Sequence, residues 1–533
     1  MSESDGEWIG VLRFDAECIV IKIDGALTGD IPAQLGLPNE RIFGLELRQS
    51  GDGDQWTARA HVRNEGLTLR GTSSENLATG TARLGERIGQ FELRSVRVWD
   101  LAAYRALIAP YEIAGVRSFS VHVNADEWVG KPVLFYSEGD RFVRLYPDAF
   151  GNLISESAEC FVLAPDGAGI ESMFSLANPA EGTLPVARTN AWTEELVSIE
   201  GPAGTLAGSL LRPPGPGPHA AVVLIHGAAG GRRDYYRAFA EHFVQAGLAA
   251  LVYDRRGWGE STGNPYPTWS EKADDAAAWI DWLASRPDID GKRIGVWGFS
   301  NGSWVAPMVA VRRPNVAFVV VIGASGTTPV ETEIHRRVFD LREQGVPEDQ
   351  VATVAEMWRI IYDLLLTRKV DEAARARFDL LAARLRDSAE IKNIRVQEYA
   401  IQEPFLGSVP PYASYQEVYD DMHNHTGGEA WTCDPVDSYL QIKVPVLYMV
   451  GENDSNLPAM VSANRVSRAL RQAGNEHATV LLFPNAGHAM NFSHPNPIGM
   501  NDEEAGYRLH DYRFVGGFVD IVRCWAAARA KGR

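Results

Sequence analysis

Apolar and polar positions follow two different rhythms along the chain. Up to about residue 190, short segments such as CIVIKIDG, WTARAHV, LTLRGT and FELRSVRVW alternate or run in β-branched and aromatic residues, with glycine between them. That pattern predicts short antiparallel strands, because side chains on a strand point to alternate faces. A second set follows in SFSVHVNA, KPVLFYSEG, RFVRLYP and ECFVLAP. Together they predict one β-rich unit over 1–98 and another over 99–190, without a fixed-period repeat. Trp8, Trp56 and Trp128 are expected to fill these small cores rather than to stack on a ligand.

The rhythm changes after a hairpin-like pair of strands and the stiff stretch Pro213–Pro218, which cannot be helix. Six apolar runs (AAVVLIHG, LAALVYD, RIGVWGFS, AFVVVIGAS, VPVLYMVGEND and HATVLLFP) then alternate with helical stretches. Strands that are apolar on both faces, separated by helices, predict an α/β fold with a parallel sheet covered on both sides. This third region is expected to span 191–533, with a helical insertion at about 331–432. Within the insertion Val351, Val354, Trp358, Ile361 and Leu365 recur at helical spacing, and DEAARARFDLLAARLR is another helical candidate. Such an insertion sits above the sheet as a cap or adds a packing layer at one edge, and the cap is the favoured expectation. Trp358, Tyr362, Tyr412 and Tyr415 are expected to contribute to a substrate pocket beneath it.

Length and charge narrow the picture. At 533 residues the chain exceeds one ordinary domain. A net charge of −18 argues against nucleic acid and anionic membrane as partners, since both need a basic surface. Cys18, Cys160, Cys433 and Cys524 are scattered, which predicts buried reduced thiols rather than a disulfide framework or a zinc site, and no metal is expected. The start MSESDGEWIG lacks the pattern of a signal peptide, and no apolar run is long enough to cross a bilayer, so a cytoplasmic location is expected. Symmetry preferences among oligomers favour a homodimer.

The chemistry centres on Gly298-Phe299-Ser300-Asn301-Gly302, a G-x-S-x-G match between the apolar RIGVW and the helix-compatible SWVAPMVAVRR. A serine on a sharp strand-to-helix elbow needs neighbours two residues away without side chains, so that strand and helix can approach. A serine hydroxyl is a poor nucleophile until a base takes its proton and an acid orients that base. The chain supplies both in order: Asp454 in the loop after VPVLYMVG, and His488 in the loop after VLLFP. His477 precedes its strand and belongs to the wrong end, His494 lies beyond the strand-end loop, and Glu452 is the alternative acid. The backbone amides of Ala228 and Asn301 are the expected oxyanion donors, with Ala229 as the nearest rival to Ala228. The pair Gly230–Gly231 is no phosphate loop, because no G-K-[ST] follows it. His226 is expected to brace a loop and His510 to lie on the final helix. In YDRRGWGESTG, Arg255 and Arg256 could bind a substrate carboxylate, although a structural role is the commoner one for such a loop.

Taken in order, HGAAGG, DRRGWGESTG, GFSNGSW, GEND and NAGH resemble the α/β-hydrolase superfamily over about 195–530, nearest its acyl-peptidase and dienelactone-hydrolase branch. The resemblance implies an α/β-hydrolase fold with a cap, preceded by small all-β units. It also implies a nucleophile at Ser300, an acid at Asp454, a base at His488, oxyanion donors at Ala228 and Asn301, and no cofactor. Relatives tend to carry glutamine and glycine where this chain has Asn301 and Ser303, which weakens the transfer of any relative's substrate preference. The expected activity is a carboxylesterase-like cleavage of an ester or thioester of a small-molecule acyl substrate. Peptidase or amidase, acyl transferase, cyclase and lyase chemistry on the same residues are the alternatives, and a non-enzymatic binding protein is the rival of a different class.

Overall fold

The computed structural model describes residues 6–15, 17–24, 27, 33–36, 43–49, 55–62, 65–124, 133–165, 167, 169–189, 192–228, 231–398, 408–422, 433–491 and 511–532. Trp128, Ala229, Gly230, His494 and His510 lie outside them. The chain divides into two compact units. One holds Met1–Thr193 with Arg237–Phe239 and Ala505–Arg513, and the other holds Glu194–Tyr236, Ala240–Glu504 and Phe514–Arg533.

Among its described residues the first unit is almost entirely β. Strands β1–β8 (Glu7–Arg13, Cys18–Asp24, Ala33–Gly36, Phe43–Gln49, Gln55–Val62, Glu65–Ser73, Leu77–Leu84 and Arg87–Ser95) form a closed barrel. Closure comes from the antiparallel pairing of β1 with β8, in register from Trp8↔Ser95 to Arg13↔Gln90. Inside it Trp8, Leu12, Ile21, Trp56, Leu69 and Phe91 share one core. Closing the sheet removes the open edges that a flat sheet of these strands would expose.

Strands β9–β16 (Ala109–Ile113, Arg117–Asn124, Val133–Glu138, Arg141–Pro147, Asn152–Ser155, Glu159–Leu163, Ile170–Ser175 and Thr183–Arg188) make a second circuit, closed by the pairing of β11 with β12. The other edge of β12 is shared. Leu145–Pro147 pair with β13, and Arg141–Val143 pair with a late strand, β25 (Asp511–Arg513). The β regions expected at 1–98 and 99–190 thus fall in one compact unit, each with its own strand circuit.

The second unit is built on an eight-stranded sheet. Its strands are β17 (Thr193–Gly201), β18 (Gly204–Arg212), β19 (His219–Ile225), β20 (Ala249–Tyr253), β21 (Ile289–Phe299), β22 (Val316–Ile322), β23 (Val446–Gly451) and β24 (Ala478–Phe483). They lie in the order β17-β18-β20-β19-β21-β22-β23-β24. From β20 to β24 every pairing is parallel, whereas β18 joins β20 antiparallel. All six apolar runs read from the sequence are strands of this sheet. After β19 the chain moves to β20 on one side and then to β21 on the other. In open α/β sheets the crevice at the carboxyl ends beside such a reversal receives ligands.

The described helices are α1 (Leu101–Ala106) in the first unit, α2 (Arg237–Gln245), α3 (Trp269–Ala284), α4 (Gly302–Arg312), α5 (Pro329–Glu343), α6 (Glu348–Thr367), α7 (Glu372–Leu385), α8 (Ala389–Glu398), α9 (Tyr415–Met422), α10 (Pro435–Tyr439), α11 (Ala459–Gln472) and α12 (Phe518–Ala530). Helices α3, α4, α10 and α11 contribute to the core around the sheet. Between β22 and β23, α5–α9 form a helical segment with a separate core of its own. Among the described residues no helix is long and apolar enough to cross a membrane. No disulfide forms, but burial holds for Cys160 alone: Cys18 and Cys433 are half-buried and Cys524 is exposed, because it faces outward from α12.

Candidate active site

Strand β21 ends at Phe299 and α4 begins at Gly302, leaving Ser300 on the elbow between them. Ser300 has φ +51°, the left-handed region that a residue with a side chain rarely adopts. Its amide donates to the Ile322 carbonyl at 3.1 Å, and its carbonyl accepts from the Ser303 amide at 2.8 Å. The flanking glycines are required by contact distance. A Cβ on Gly298 would stand 2.2 Å from the Gly302 carbonyl oxygen, and one on Gly302 would stand 2.4 Å from that of Ile225. The Asn301 side chain accepts from Trp269 Nε1 at 3.0 Å, which ties the elbow to the start of α3.

Two further strand-end loops converge on this serine. His488, after β24, places Nε2 2.9 Å from Ser300 Oγ and Nδ1 2.8 Å from Asp454 Oδ2. Asp454 follows β23 and is buried, and its Oδ1 accepts from the Asn456 and Leu457 amides at 2.9 and 3.2 Å. Two amides thus hold one carboxylate oxygen and leave the other to the imidazole. The Phe299 ring lies 5.4 Å from that of His488. Of the alternatives, Glu452 is exposed, and His477 is exposed at the amino end of β24, away from the elbow. His494 lies outside the described residues.

The turn after β19 is held from two sides. The Gly227 amide donates to the Tyr236 hydroxyl at 2.7 Å, and the Ala228 carbonyl accepts from Arg255 Nη1 at 3.1 Å. His226 is buried edge-on against Tyr236 and Tyr253, with centroids 5.1 and 4.7 Å away. Burial, reinforced by nearby Arg255 and Lys272, pushes its pKa down to about 3, so at neutral pH it is an uncharged bracing residue. In the next loop Asp254 accepts from the Arg233 and Glu260 amides at 2.8 and 2.9 Å. Arg256 is structural: it forms a two-pronged pair with Asp275 at 2.9 and 2.6 Å and reaches Glu271 at 3.0 Å. Arg255 is different, lying 4.9 Å over the Trp258 ring and bracing the Ala228 turn.

The aromatic residues expected to line a pocket lie in the helical segment. Trp358, Tyr362, Tyr412 and Tyr415 are all buried in the core of the helical segment. Trp358 Nε1 donates to the Ser408 carbonyl at 2.9 Å, and the Arg337 guanidinium lies 4.2 Å over its ring. All four pack within the segment's own core, and Tyr412, which precedes α9, also donates its hydroxyl to Asp421.

Sequence reasoning missed two residues near the elbow. His335 on α5 brings Nε2 to 3.4 Å from the Asp454 carbonyl, so the helical segment reaches the loop after β23. Lys272, in the first turn of α3, is only 9 % exposed. Neither carries a motif, since a lone histidine or lysine on an amphipathic helix reads as solvated surface.

A family model described as the alpha/beta hydrolase family matches residues 222–498. Over 101 residues the chain is 37 % identical to the quorum-quenching protein AidA of Acinetobacter baumannii, covering 19 % of this chain and 33 % of that protein. Over 141 residues it is 35 % identical to the polyketide transferase claH of Penicillium crustosum, covering 25 % and 46 %. The matches therefore span half or less of these relatives' own lengths. An esterase structure from Pyrococcus furiosus superposes with a TM-score of 0.36 at 17 % identity, covering 56 % of this chain and 84 % of that one.

Proposed function

The chain belongs to the alpha/beta hydrolase family, and from that premise we propose that it is a serine hydrolase that cleaves a carboxylic ester or thioester of a small organic substrate through an acyl-enzyme on Ser300. One observation carries this reading: the hydrogen-bonded line from Ser300 Oγ through His488 to buried Asp454, at 2.9 and 2.8 Å. His488 Nε2 takes the hydroxyl proton as Oγ attacks the substrate carbonyl, and the Asp454 carboxylate stabilises the imidazolium that results. The amides of Ala228 and Asn301 donate to the oxyanion, and Asn301 does so at the positive end of α4. His488 then protonates the leaving alcohol or thiol. Water, deprotonated by the same imidazole, attacks the acyl-enzyme and releases the acid. The helical segment between β22 and β23 acts as the cap, with α5 touching the acid's loop through His335.

A fluorophosphonate probe tests the proposal. It is expected to label Ser300 in the wild type and nothing in Ser300→Ala, and that variant should lose at least about 10³-fold in kcat on p-nitrophenyl acetate. Folded wild-type protein that neither labels nor turns over this small ester would overturn the reading in favour of a binding protein. Likeness to a polyketide transferase favours a second reading, transfer of the acyl group to an acceptor other than water. It predicts normal labelling but an acyl-enzyme that persists until an added alcohol, thiol or amine removes it.

A further inference from the structure

Beside the turn after β19, which Arg255 braces and His226 precedes, Lys272 of α3 is a third basic group within electrostatic reach of both. Lys272 projects from α3 on the face it shares with Ala276 and Trp279, toward the sheet. It is nine-tenths buried, and among the described residues nothing lies within hydrogen-bond or ion-pair distance of its ammonium. The acids next to it on the helix are already committed. Glu271 closes the capping box with Thr268 and accepts from Arg256, and Asp275 takes the two-pronged bond from Arg256. Arg255, itself 9 % exposed, brings a second cation toward Lys272, and each acts on the protonation of the buried His226. A lysine nine-tenths buried beside a second cation, with the carboxylates next to it on α3 engaged by Arg256, is a costly arrangement in an apoprotein. An anion entering from outside relieves it.

We propose that Lys272, with Arg255, forms a subsite for a carboxylate carried on the acyl part of the substrate, so that the preferred substrates are hemi-esters of short diacids. This rests on the hydrolase reading above and narrows its substrate class. Arg255 also donates to the Ala228 carbonyl, so the carboxylate is held next to the turn that receives the oxyanion. The bonds made and broken are those of ester hydrolysis. The Ser300 acyl-enzyme forms as the alcohol leaves, and water then frees the diacid.

The experiment compares p-nitrophenyl hemisuccinate with p-nitrophenyl butyrate, which matches it in length but is neutral. The quantity read is the ratio of their kcat/KM values in the wild type, Lys272→Met and Lys272→Arg. In Lys272→Met the hemisuccinate-to-butyrate ratio is expected to fall about 10- to 100-fold, and Lys272→Arg should keep most of it. A ratio unchanged in Lys272→Met, or lost equally in Lys272→Arg, overturns the subsite. A second measurement separates failure of the subsite from failure of the hydrolase reading. Succinate should raise the melting temperature of Ser300→Ala but not of Ser300→Ala/Lys272→Met, whether or not any ester is cleaved. Equal shifts in the two variants, or none in either, would also overturn the proposal.

Discussion

Ser300 pays for its position with a left-handed backbone, a cost of about 1 kcal/mol or more for a residue with a side chain. The surrounding glycines make that position reachable. Gly302→Ala would put a methyl group 2.4 Å from the Ile225 carbonyl oxygen and force the elbow to shift. A displacement of that order at a nucleophile lowers reaction with a fluorophosphonate about 100-fold, and the melting temperature should fall with it. Gly516→Ala, where an added Cβ meets nothing within 4 Å, serves as the matched control and should change neither. At Lys272 the expectation has the opposite sign. Burial, with Arg255 nearby, lowers its pKa to about 8 from an ordinary 10.5. Below pH 8 both folded and unfolded chains hold the proton, and the full penalty of the buried charge is present. Between pH 8 and 10.5 the unfolded chain alone binds the proton, so wild-type stability climbs with pH. Lys272→Met should therefore be the more stable protein at pH 7, by on the order of 3 kcal/mol, with the gap closing above pH 10. Denaturant titrations at pH 7, 9 and 10.5 measure this, and a gap independent of pH would contradict it.

At the scale of elements, legibility followed how locally each feature is encoded. The six parallel strands are continuous apolar runs ending in glycine-marked loops, and Ser300, Asp454 and His488 sit at three of those ends, so each could be read from about a dozen residues. Barrel closure could not. It depends on Trp8 meeting Ser95 across almost the whole first region, a pairing that no short window contains. The surroundings of Trp358, Tyr362 and Tyr415 were hidden for a related reason. Spacing says that a face is buried but not what buries it, and the answer came from the other helices of the segment. Lys272 was invisible because a lone lysine on an amphipathic helix reads as solvated surface, whatever its burial in the fold. These helices carry a prediction of their own. Trp358 has both a ring contact with Arg337 and an indole bond to the Ser408 carbonyl. Trp358→Ala should cost about 3–5 kcal/mol, and hydrogen exchange should rise first in α5–α9. Exchange rising instead across β19–β24 would show that the segment is not a separately cored element.

At the scale of the molecule, the unit boundary does not follow the order of the chain. Met1–Thr193 produced alone contains both β circuits but lacks β25, leaving Arg141–Val143 of β12 without a partner on that edge. A synthetic peptide of residues 505–513 should bind the fragment and raise its melting temperature by about 2–4 °C, read by circular dichroism. No shift at saturating peptide would mean that the three-residue pairing adds nothing to stability. The same pairing has a consequence for the order of synthesis. Strand β25 leaves the ribosome roughly 360 residues after β12. At about 5–20 residues per second that is a delay of about 20–70 s. The first region to be translated is thus among the last to be finished, and while it waits a strand from a neighbouring nascent chain can take the place reserved for β25.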